Sequence, residues 1–351
     1  MTARHILAIV CILAGCVSRS DVFPPTRALL ELQSSGTTQL LQAVSVVDAN
    51  VVWVSGHGGT WARTTNGGAT WRTGGVIGAD TMQFRDVHAL DEHSAWLLSA
   101  GPGDQSRVYR TDDGGELWTL QWTNAEPDGF YDCLAFWDAQ RGIVYGDAVN
   151  GELRILRTED GGSTWRLLAR SGLPEALPAE AGFAASGTCV TTQPGGRAWI
   201  AAGNAPRARV FRTDDYGVTW SAADVPVAAG EAAGLTSISM LDASTGTAFG
   251  GDLTVADARM DNVARTTDGG RTWTALPPLR MLGAAYGGVH IPDTDGRALL
   301  AVGPGGVDAS FDGGQTWRTV DGRAWWSVGS GGALATWIVG PGGRIARVRL
   351  K

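Results

Sequence analysis

Short apolar runs recur along the chain in pairs, and a polar turn separates the two runs of each pair. Val44–Gly56 reads VSVVDANVVWVSG and Val87–Ala100 reads VHALDEHSAWLLSA. Leu134–Gly146 (LAFWDAQRGIVYG) and Ile238–Gly250 (ISMLDASTGTAFG) repeat the arrangement. Runs of this length, rich in β-branched and aromatic residues and bounded by turn residues, are typical of β-hairpins. The pattern predicts two antiparallel strands, a and b, in each unit.

A second motif follows the hairpins and ends in tryptophan. The six copies are TTNGGATW (Thr64–Trp71), TDDGGELW (Thr111–Trp118), TEDGGSTW (Thr158–Trp165), TDDYGVTW (Thr213–Trp220), TTDGGRTW (Thr266–Trp273) and SFDGGQTW (Ser310–Trp317). The interval between successive tryptophans is close to the period of a propeller blade, about 40 to 50 residues. The motif is expected to join a third strand, c, to a fourth, d, so that each blade has four antiparallel strands.

A seventh unit ends the chain without a copy of the motif. Its sequence is AWWSVGSGGALATWIVGPGGRIARVRLK, and it stops where the last strand d should begin. RALLELQ, at Arg27–Gln33, precedes the first strand a and can supply the missing strand. Closing the ring in this way removes exposed sheet edges. We therefore predict an all-β fold, a seven-bladed β-propeller over residues 26–351 that the N-terminal strand closes.

The repeated motif contains a carboxylate and glycines, but a turn needs these residue types for folding alone. The aspartate can accept backbone N–H groups inside the turn, the second glycine allows a positive φ, and the tryptophan covers the blade. An EF-hand would need several carboxylates and a distal Glu, and a P-loop would need a lysine. A structural role is predicted for Asn66, Asp113, Asp160, Asp215, Asp268, Asp312, Trp71, Trp118, Trp165, Trp220, Trp273 and Trp317, and no metal or cofactor is expected.

The N-terminal segment that precedes Thr26 has the pattern of an export signal. Arg4 comes before an apolar run, Ile6–Ala14, that is too short to span a bilayer as a helix. LAGC then resembles the bacterial lipoprotein box, which implies a signal peptide at positions 1–15, lipidation of Cys16 and a polar tether at 16–25. An ordinary cleaved signal is the alternative. Val17 slightly favours the outer membrane, so we expect an exported lipoprotein that faces the periplasm or the cell surface.

Export also bears on the state of the two cysteines in the predicted propeller. Cys133 and Cys189 would lie where disulfides persist, so they either pair or pack as two small buried hydrophobes.

The formal net charge is −7, and Lys351 is the sole lysine. An acidic chain of this kind is not expected to bind nucleic acid.

The loops opposite the repeated motif break the repeat, and binding sites tend to lie in such loops. Arg170–Gly187 separates blades three and four, and Gly251–Asn262 joins strands b and c of blade five. Polar and aromatic side chains before strand a and in the b–c loops should surround the channel mouth. The candidate binding residues are His57, Arg85, Asp86, Asp104, Tyr131, Asp132, Asp147, Asn204, Asp252, Tyr286, Trp325 and Trp326.

The motif S/T-x-D-x-G-x-T-W resembles the Asp-box (BNR) repeat of β-propellers. The longer pattern FRDVHALDEHSAWLLSAG…VYRTDDGGELW resembles the photosystem II stability/assembly factor family. That resemblance implies seven blades, closure by the N-terminal strand, frequent lipoprotein export, and a non-catalytic scaffold whose arginine-rich face holds a partner protein. Arg85 matches one such arginine position. We therefore expect a membrane-anchored binding or assembly scaffold.

A glycan-binding or glycan-hydrolysing propeller is the alternative, because sialidases also carry Asp boxes. Sialidases need an arginine triad, a Tyr/Glu pair and an Arg-Ile-Pro sequence, and no Arg-Ile-Pro occurs here. Xyloglucan hydrolases with Asp boxes use paired aspartates, and Asp132, Asp147 and Asp252 could form such a pair. The partner is thus an unknown protein or a glycan, and a non-catalytic role is favoured.

Overall fold

A computed structural model describes residues 25–351, so the predicted signal peptide and Cys16 lie outside the described residues. Twenty-eight strands form seven four-stranded antiparallel sheets, one for each blade. Blade one contains β2 (Leu41–Val46), β3 (Val52–Gly56), β4 (Thr60–Thr64) and β5 (Arg72–Gly75); blade two, β6 (Phe84–Ala89), β7 (Ala95–Ser99), β8 (Arg107–Thr111) and β9 (Thr119–Thr123); blade three, β10 (Tyr131–Phe136), β11 (Gly142–Val149), β12 (Glu152–Thr158) and β13 (Arg166–Leu167).

The remaining blades follow the same order. Blade four contains β14 (Val190–Gln193), β15 (Arg197–Ala202), β16 (Ala208–Thr213) and β17 (Ser221–Val225); blade five, β18 (Ala233–Met240), β19 (Gly246–Asp252), β20 (Val263–Thr266) and β21 (Thr274–Ala275); blade six, β22 (Gly287–His290), β23 (Leu299–Gly303), β24 (Gly306–Ser310) and β25 (Arg318–Asp321). Blade seven contains β26 (Ser327–Gly332), β27 (Ala335–Gly340), β28 (Arg344–Leu350) and β1 (Ala28–Ser34). The helical content of residues 25–351 is three 3₁₀ turns, Gly103–Gln105, Arg170–Gly172 and Pro341–Gly343.

The first and last strands close the ring, which confirms the predicted fold. β1 pairs with β28 along its whole length, from Ala28 opposite Leu350 to Ser34 opposite Arg344. Gln33 then joins blade seven to blade one. Its Oε1 accepts hydrogen bonds from Trp71 Nε1 and Trp337 Nε1, both at 3.1 Å.

The repeated motif forms the turn between strands c and d, as its composition predicts. Asp268 shows the pattern. Its Oδ1 accepts the N–H of Thr272 at 2.9 Å, and Thr266 Oγ1 accepts the N–H of Gly270 at 2.9 Å, where φ is +85°. Hydrogen bonds, first from the Thr272 hydroxyl and N–H, lower the pKa of Asp268 to about 2. Asn66 accepts the N–H of Thr70 in the same way, so the turn forms around a neutral amide as well as around a carboxylate.

Each of these turns also contacts the preceding blade. Trp96 Nε1 of blade two donates to Gly161 O of the blade-three turn at 3.0 Å, and Arg110 Nη1 donates to the same carbonyl at 2.9 Å. The Arg110 guanidinium lies 5.1 Å from the Trp96 ring centroid, a cation–π distance. Arg347 of blade seven repeats the arrangement where the ring closes. Its guanidinium lies over the ring of Trp337, and its Nη1 donates to Gly67 O of the blade-one turn. The face that carries these turns, the Asp-box face, is therefore occupied with holding blades together.

A disulfide links blades three and four near the channel. Cys133 lies in β10 and Cys189 lies immediately before β14, and both are fully buried. The structure joins them, with Cα atoms 6.0 Å apart. Of the two alternatives that the sequence leaves open, the described residues show the paired one.

Among residues 25–351, no helix is both long enough and apolar enough to cross a membrane.

Candidate functional site

The face opposite the Asp boxes surrounds the mouth of the central channel. The pairing of strands a and b shifts register where strand a begins in blades one, two, three and five. A bulge of this kind redirects one side chain. The residues at these positions are Gln42, Arg85, Asp132 and Thr236.

The insertion between blades three and four closes this mouth. We call its last part, Ala181–Thr188, the plug, because it contacts all seven blades. Hydrogen bonds join Ala181 to Gly203 of blade four, Gly182 N to Asp147 of blade three, Ala184 O to Arg85 of blade two, Thr188 to Ser237 of blade five, Ser186 Oγ to Tyr286 O of blade six, and Ser186 O to Ser327 Oγ of blade seven. A Cβ placed on Gly187 would lie 3.0 Å from Ala43 Cβ of blade one.

Small side chains allow the plug to fit the channel. Ala181, Ala184, Ala185 and Ser186 are all buried. Below them a cavity of about 250 Å³ continues along the axis, lined by hydroxyl and imidazole groups such as Ser45, His88 and Ser239, with Gly187 and Thr188 at its plug end. The mouth therefore does not open into the channel in this conformation.

An ion pair anchors the N-terminal side of the plug. Glu180 is 1% exposed, and its Oε1 accepts Arg209 Nε of β16 at 2.7 Å. Arg209 also donates to Glu175 O at 2.9 Å, and Glu180 O accepts the N–H of Ala148 at 3.0 Å. The disulfide at Cys189 fixes the other side, since Cys189 directly follows Thr188.

Two neighbouring carboxyl groups, Asp132 and Asp147, lie against Gly182 of the plug, and a third, Asp86, lies against Gly187. Asp132 is 1% exposed, and its carboxyl group lies near enough to that of Asp147 for the charge of Asp147 to raise the pKa of Asp132. Burial first, and the charge of Asp147 second, raise the pKa of Asp132 well above its usual range, while burial raises the pKa of Asp147 to about 6. Since two adjacent carboxylates resist being ionised together, the pair favours a state in which one carboxyl group keeps its proton.

Among the partly exposed side chains around the plug, we call four the mouth patch: His57, Arg85, Tyr286 and Trp326. They come from blades one, two, six and seven. The rings of Tyr286 and Trp326 meet edge to face, with centroids 5.1 Å apart. The charge of Arg85 acts on both Tyr286 and His57, so the guanidinium lies near both groups.

Arg85 is held by neutral acceptors. Its Nε and Nη2 donate to Gln83 Oε1 at 3.0 and 2.6 Å, and its Nη1 reaches Ala184 O at 3.4 Å. Burial, followed by the charge of Arg85, lowers the pKa of His57, and burial raises the pKa of Tyr286. Both groups are therefore neutral near pH 7, so the patch presents one cation beside aromatic surface, a combination suited to a carboxylate or an acidic segment.

The other candidate residues serve the fold. Asp86, Tyr131 and Trp325 are at most 2% exposed, so they offer no surface to a partner, although Asp86 lies against Gly187 of the plug. Asn204 bridges two loops through Ala179 O and Ala232 N. Asp252 accepts the N–H of Thr254, two residues along, and lies in blade five, away from the Asp132–Asp147 pair.

Sequence reasoning missed the plug itself and the residues that position Arg85 and Glu180. The insertion was visible as a break in the repeat, but its contacts were not. Its stretch AGFAASG, dense in small residues, is a signal of close packing that could have indicated a channel-filling segment. Within residues 25–351, no group of three or more His, Cys, Asp or Glu side chains could hold a metal ion.

Solved structures share this architecture. The structure of YCF48 bound to D1 peptide matches with a TM-score of 0.63 and 17% identity, covering 92% of this chain and 97% of that chain. YCF48 from Cyanidioschyzon merolae gives a TM-score of 0.64 at 17% identity, covering 92% and 99%. The GH74 xyloglucanase from Xanthomonas campestris gives 0.62 at 15% identity, covering 90% of this chain and 53% of the enzyme.

No protein-family model and no curated protein sequence matches the chain. The structural matches establish the fold, a seven-bladed propeller like those of YCF48 and of GH74 enzymes, and they confirm the predicted resemblance at that level.

Proposed function

We propose that this protein is an exported, lipid-anchored and non-catalytic scaffold that binds a segment of a partner protein at the mouth patch. The observation that carries the proposal is Arg85, a partly buried cation whose direct hydrogen-bond partners are all neutral, beside the exposed edge of Tyr286 and Trp326. Such a site recognises a carboxylate together with an apolar or aromatic side chain.

The similarity to YCF48 agrees with this role, since one of those structures is bound to a peptide. Apolar side chains on the same face also support a protein partner. Ile77 is 94% exposed in the loop that joins blades one and two, and Leu282 is 43% exposed in the loop that joins blades five and six. Exposed apolar groups next to a polar site are typical of interaction surfaces.

A glycoside hydrolase has less support. GH74 enzymes share the fold, and Asp132 and Asp147 do form a carboxyl pair. However, the two carboxyl groups of a glycosidase flank the substrate, whereas the plug backbone at Gly182 lies against both Asp132 and Asp147 and covers them. Release of reducing sugar from xyloglucan, lost in Asp147→Asn, would favour the enzyme and contradict the scaffold.

Replacing Arg85 with alanine is expected to weaken partner binding at least tenfold, because one charge-assisted contact is worth about 1.4 kcal/mol or more. The chain that begins at Val17 can be tested on an array of random octapeptides. Each peptide is printed with a free carboxyl terminus and with an amidated one. Binding should favour free carboxyl termini or acidic peptides and fall in Arg85→Ala.

Arg207→Ala is the matched control, since Arg207 is an exposed arginine that pairs with Asp224 in blade four. It should bind as the unchanged protein does. If Arg85→Ala and Arg207→Ala bind the same peptides equally well, the mouth patch is not the binding site.

The proposed anchor has its own test. With a lipoprotein signal, Cys16 should incorporate radioactive palmitate in a bacterial host, and the protein should sediment with membranes. Cys16→Ser should lose the label and appear in the periplasmic fraction. Equal labelling of both proteins would contradict a lipid anchor at Cys16 and leave the binding proposal unaffected.

A further inference from the structure

We propose that the plug is a proton-operated gate. While Asp132 and Asp147 share a proton the plug closes the mouth, and loss of that proton displaces Ala181–Gly187 from the channel. This gate needs no partner, so it goes beyond the proposed function.

The first support is where the two carboxyl groups lie. Gly182 donates its N–H to Asp147 Oδ1 at 3.0 Å. A Cβ on Gly182 would lie 2.5 Å from Asp132 Oδ2, so the plug backbone rests directly on the pair. The buried Asp132 Oδ2 has no hydrogen-bond partner among the described residues. A second negative charge would therefore be buried with little compensation, because Arg85 and the Ala184 N–H favour it less than burial and Asp147 oppose it.

The neighbouring charges offer limited compensation. Arg85 of β6 faces Asp132 and favours its ionised form. Its effect on the pKa of Asp132 is smaller than the opposing effects of burial and of Asp147. Tyr145 faces the pair from β11, and burial together with Glu180, Asp132 and Asp147 raises the pKa of its hydroxyl, which stays neutral. Glu180 lies on the plug side and adds negative charge, and Arg209 is already bound to it. Asp86 of β6 lies against Gly187 at the other end of the plug, and burial raises the pKa of its carboxyl group well above the usual range. Asp132 and Asp147 therefore bind one proton more tightly while the plug is closed than they would if the plug were open and the pair hydrated.

The direction of the pH effect follows. Groups whose pKa is raised in the closed state stabilise that state at low pH, and the stabilisation falls as pH rises. The pair loses its first proton near pH 6, the raised pKa of Asp147, and retains the second to higher pH. Opening is therefore expected on the alkaline side of neutrality.

The anchors define what moves. Glu180–Arg209 holds the plug on one side and the Cys133–Cys189 disulfide on the other, so the motion is confined to the residues between them. Gly187, with φ of +68°, and Gly182 provide flexible positions. When this segment leaves, the mouth connects with the cavity beneath it.

Hydrogen exchange measured by mass spectrometry tests the gate on the chain that begins at Val17. Protection factors, which correct for the intrinsic pH dependence of exchange, are compared at pH 6 and pH 9 for a peptide covering 177–189. Protection of the Ala181 and Gly182 amides should fall at least tenfold, because the factor is tenfold for each unit of pKa difference. Protection of β15 should stay constant.

Two variants separate the gate from general loosening. Asp132→Asn keeps a hydrogen-bond donor beside Asp147 and cannot ionise, so protection of the plug should become independent of pH. Gly182→Ala places a methyl group against Asp132 and should lower protection at pH 6 as well. Asp128→Asn, an exposed carboxylate, is the charge-matched control and should behave as the unchanged protein. A pH-independent plug in the unchanged protein, or the same fall in Asp132→Asn, would overturn the proposal.

Discussion

Removal of the disulfide between Cys133 and Cys189 should lower the free energy of unfolding by about 4 kcal/mol. The bond joins residues 56 apart in sequence, and a cross-link that closes a loop of this size mainly restricts the unfolded chain. Both sulfurs are fully buried between blades three and four. The expected loss is a large part of the total stability of an average domain.

Denaturant unfolding of Cys133→Ala/Cys189→Ala beside the unchanged protein gives the comparison. Unfolding of the unchanged protein with a reducing agent is the control, because it breaks the cross-link without removing either sulfur atom. The difference between the double variant and the reduced protein then measures the packing of the two sulfurs. A loss below about 1 kcal/mol in both samples would show that the bond adds little, as strained cross-links do.

Replacement of Arg209 with methionine should cost about 3 to 5 kcal/mol, because it leaves Glu180 as a buried charge without its partner. Glu180 is 1% exposed, and its Oε2 also accepts the N–H of Leu177 at 2.9 Å. The loss should be local as well as global. Exchange protection of the plug should fall because its N-terminal anchor is gone.

Arg207→Met is the matched control on the same blade. Arg207 pairs with Asp224 at 2.9 Å, but both side chains are more than half exposed, and exposed pairs contribute at most about 1 kcal/mol. The double variant Glu180→Gln/Arg209→Met should recover part of the loss, since no charge is then buried. If Arg209→Met and Arg207→Met unfold at the same denaturant concentration, Glu180–Arg209 does not anchor the plug.

The fold was predictable because the repeat is periodic. Six turns at blade spacing indicate how many sheets there are, and RALLELQ at the N-terminus supplies the strand that blade seven lacks. Local chemistry explains this success: Asp268 and Gly270 form their turn from hydrogen bonds within a few residues. Neighbouring sequence is sufficient to specify such a turn.

The candidate site was predictable only in part. Arg85, Tyr286 and Trp326 were identified from their place before or early in strand a, and they remain partly exposed at the mouth. Asp86, Tyr131 and Trp325 share that sequence pattern but are buried. The difference comes from the plug and from bulges, which depend on contacts between residues far apart in sequence, such as Ser186 with Tyr286. Contacts of that range leave no local periodic signal.

The direction of β1 has a consequence for how the protein would be oriented on a membrane. β1 begins beside Leu350 at the Asp-box face and ends beside Arg344 at the opposite face. A lipid at Cys16 would therefore hold the protein by its Asp-box side. The proposed tether would thus leave the propeller on the side opposite the mouth patch, so it would not cross the surface that is proposed to bind a partner.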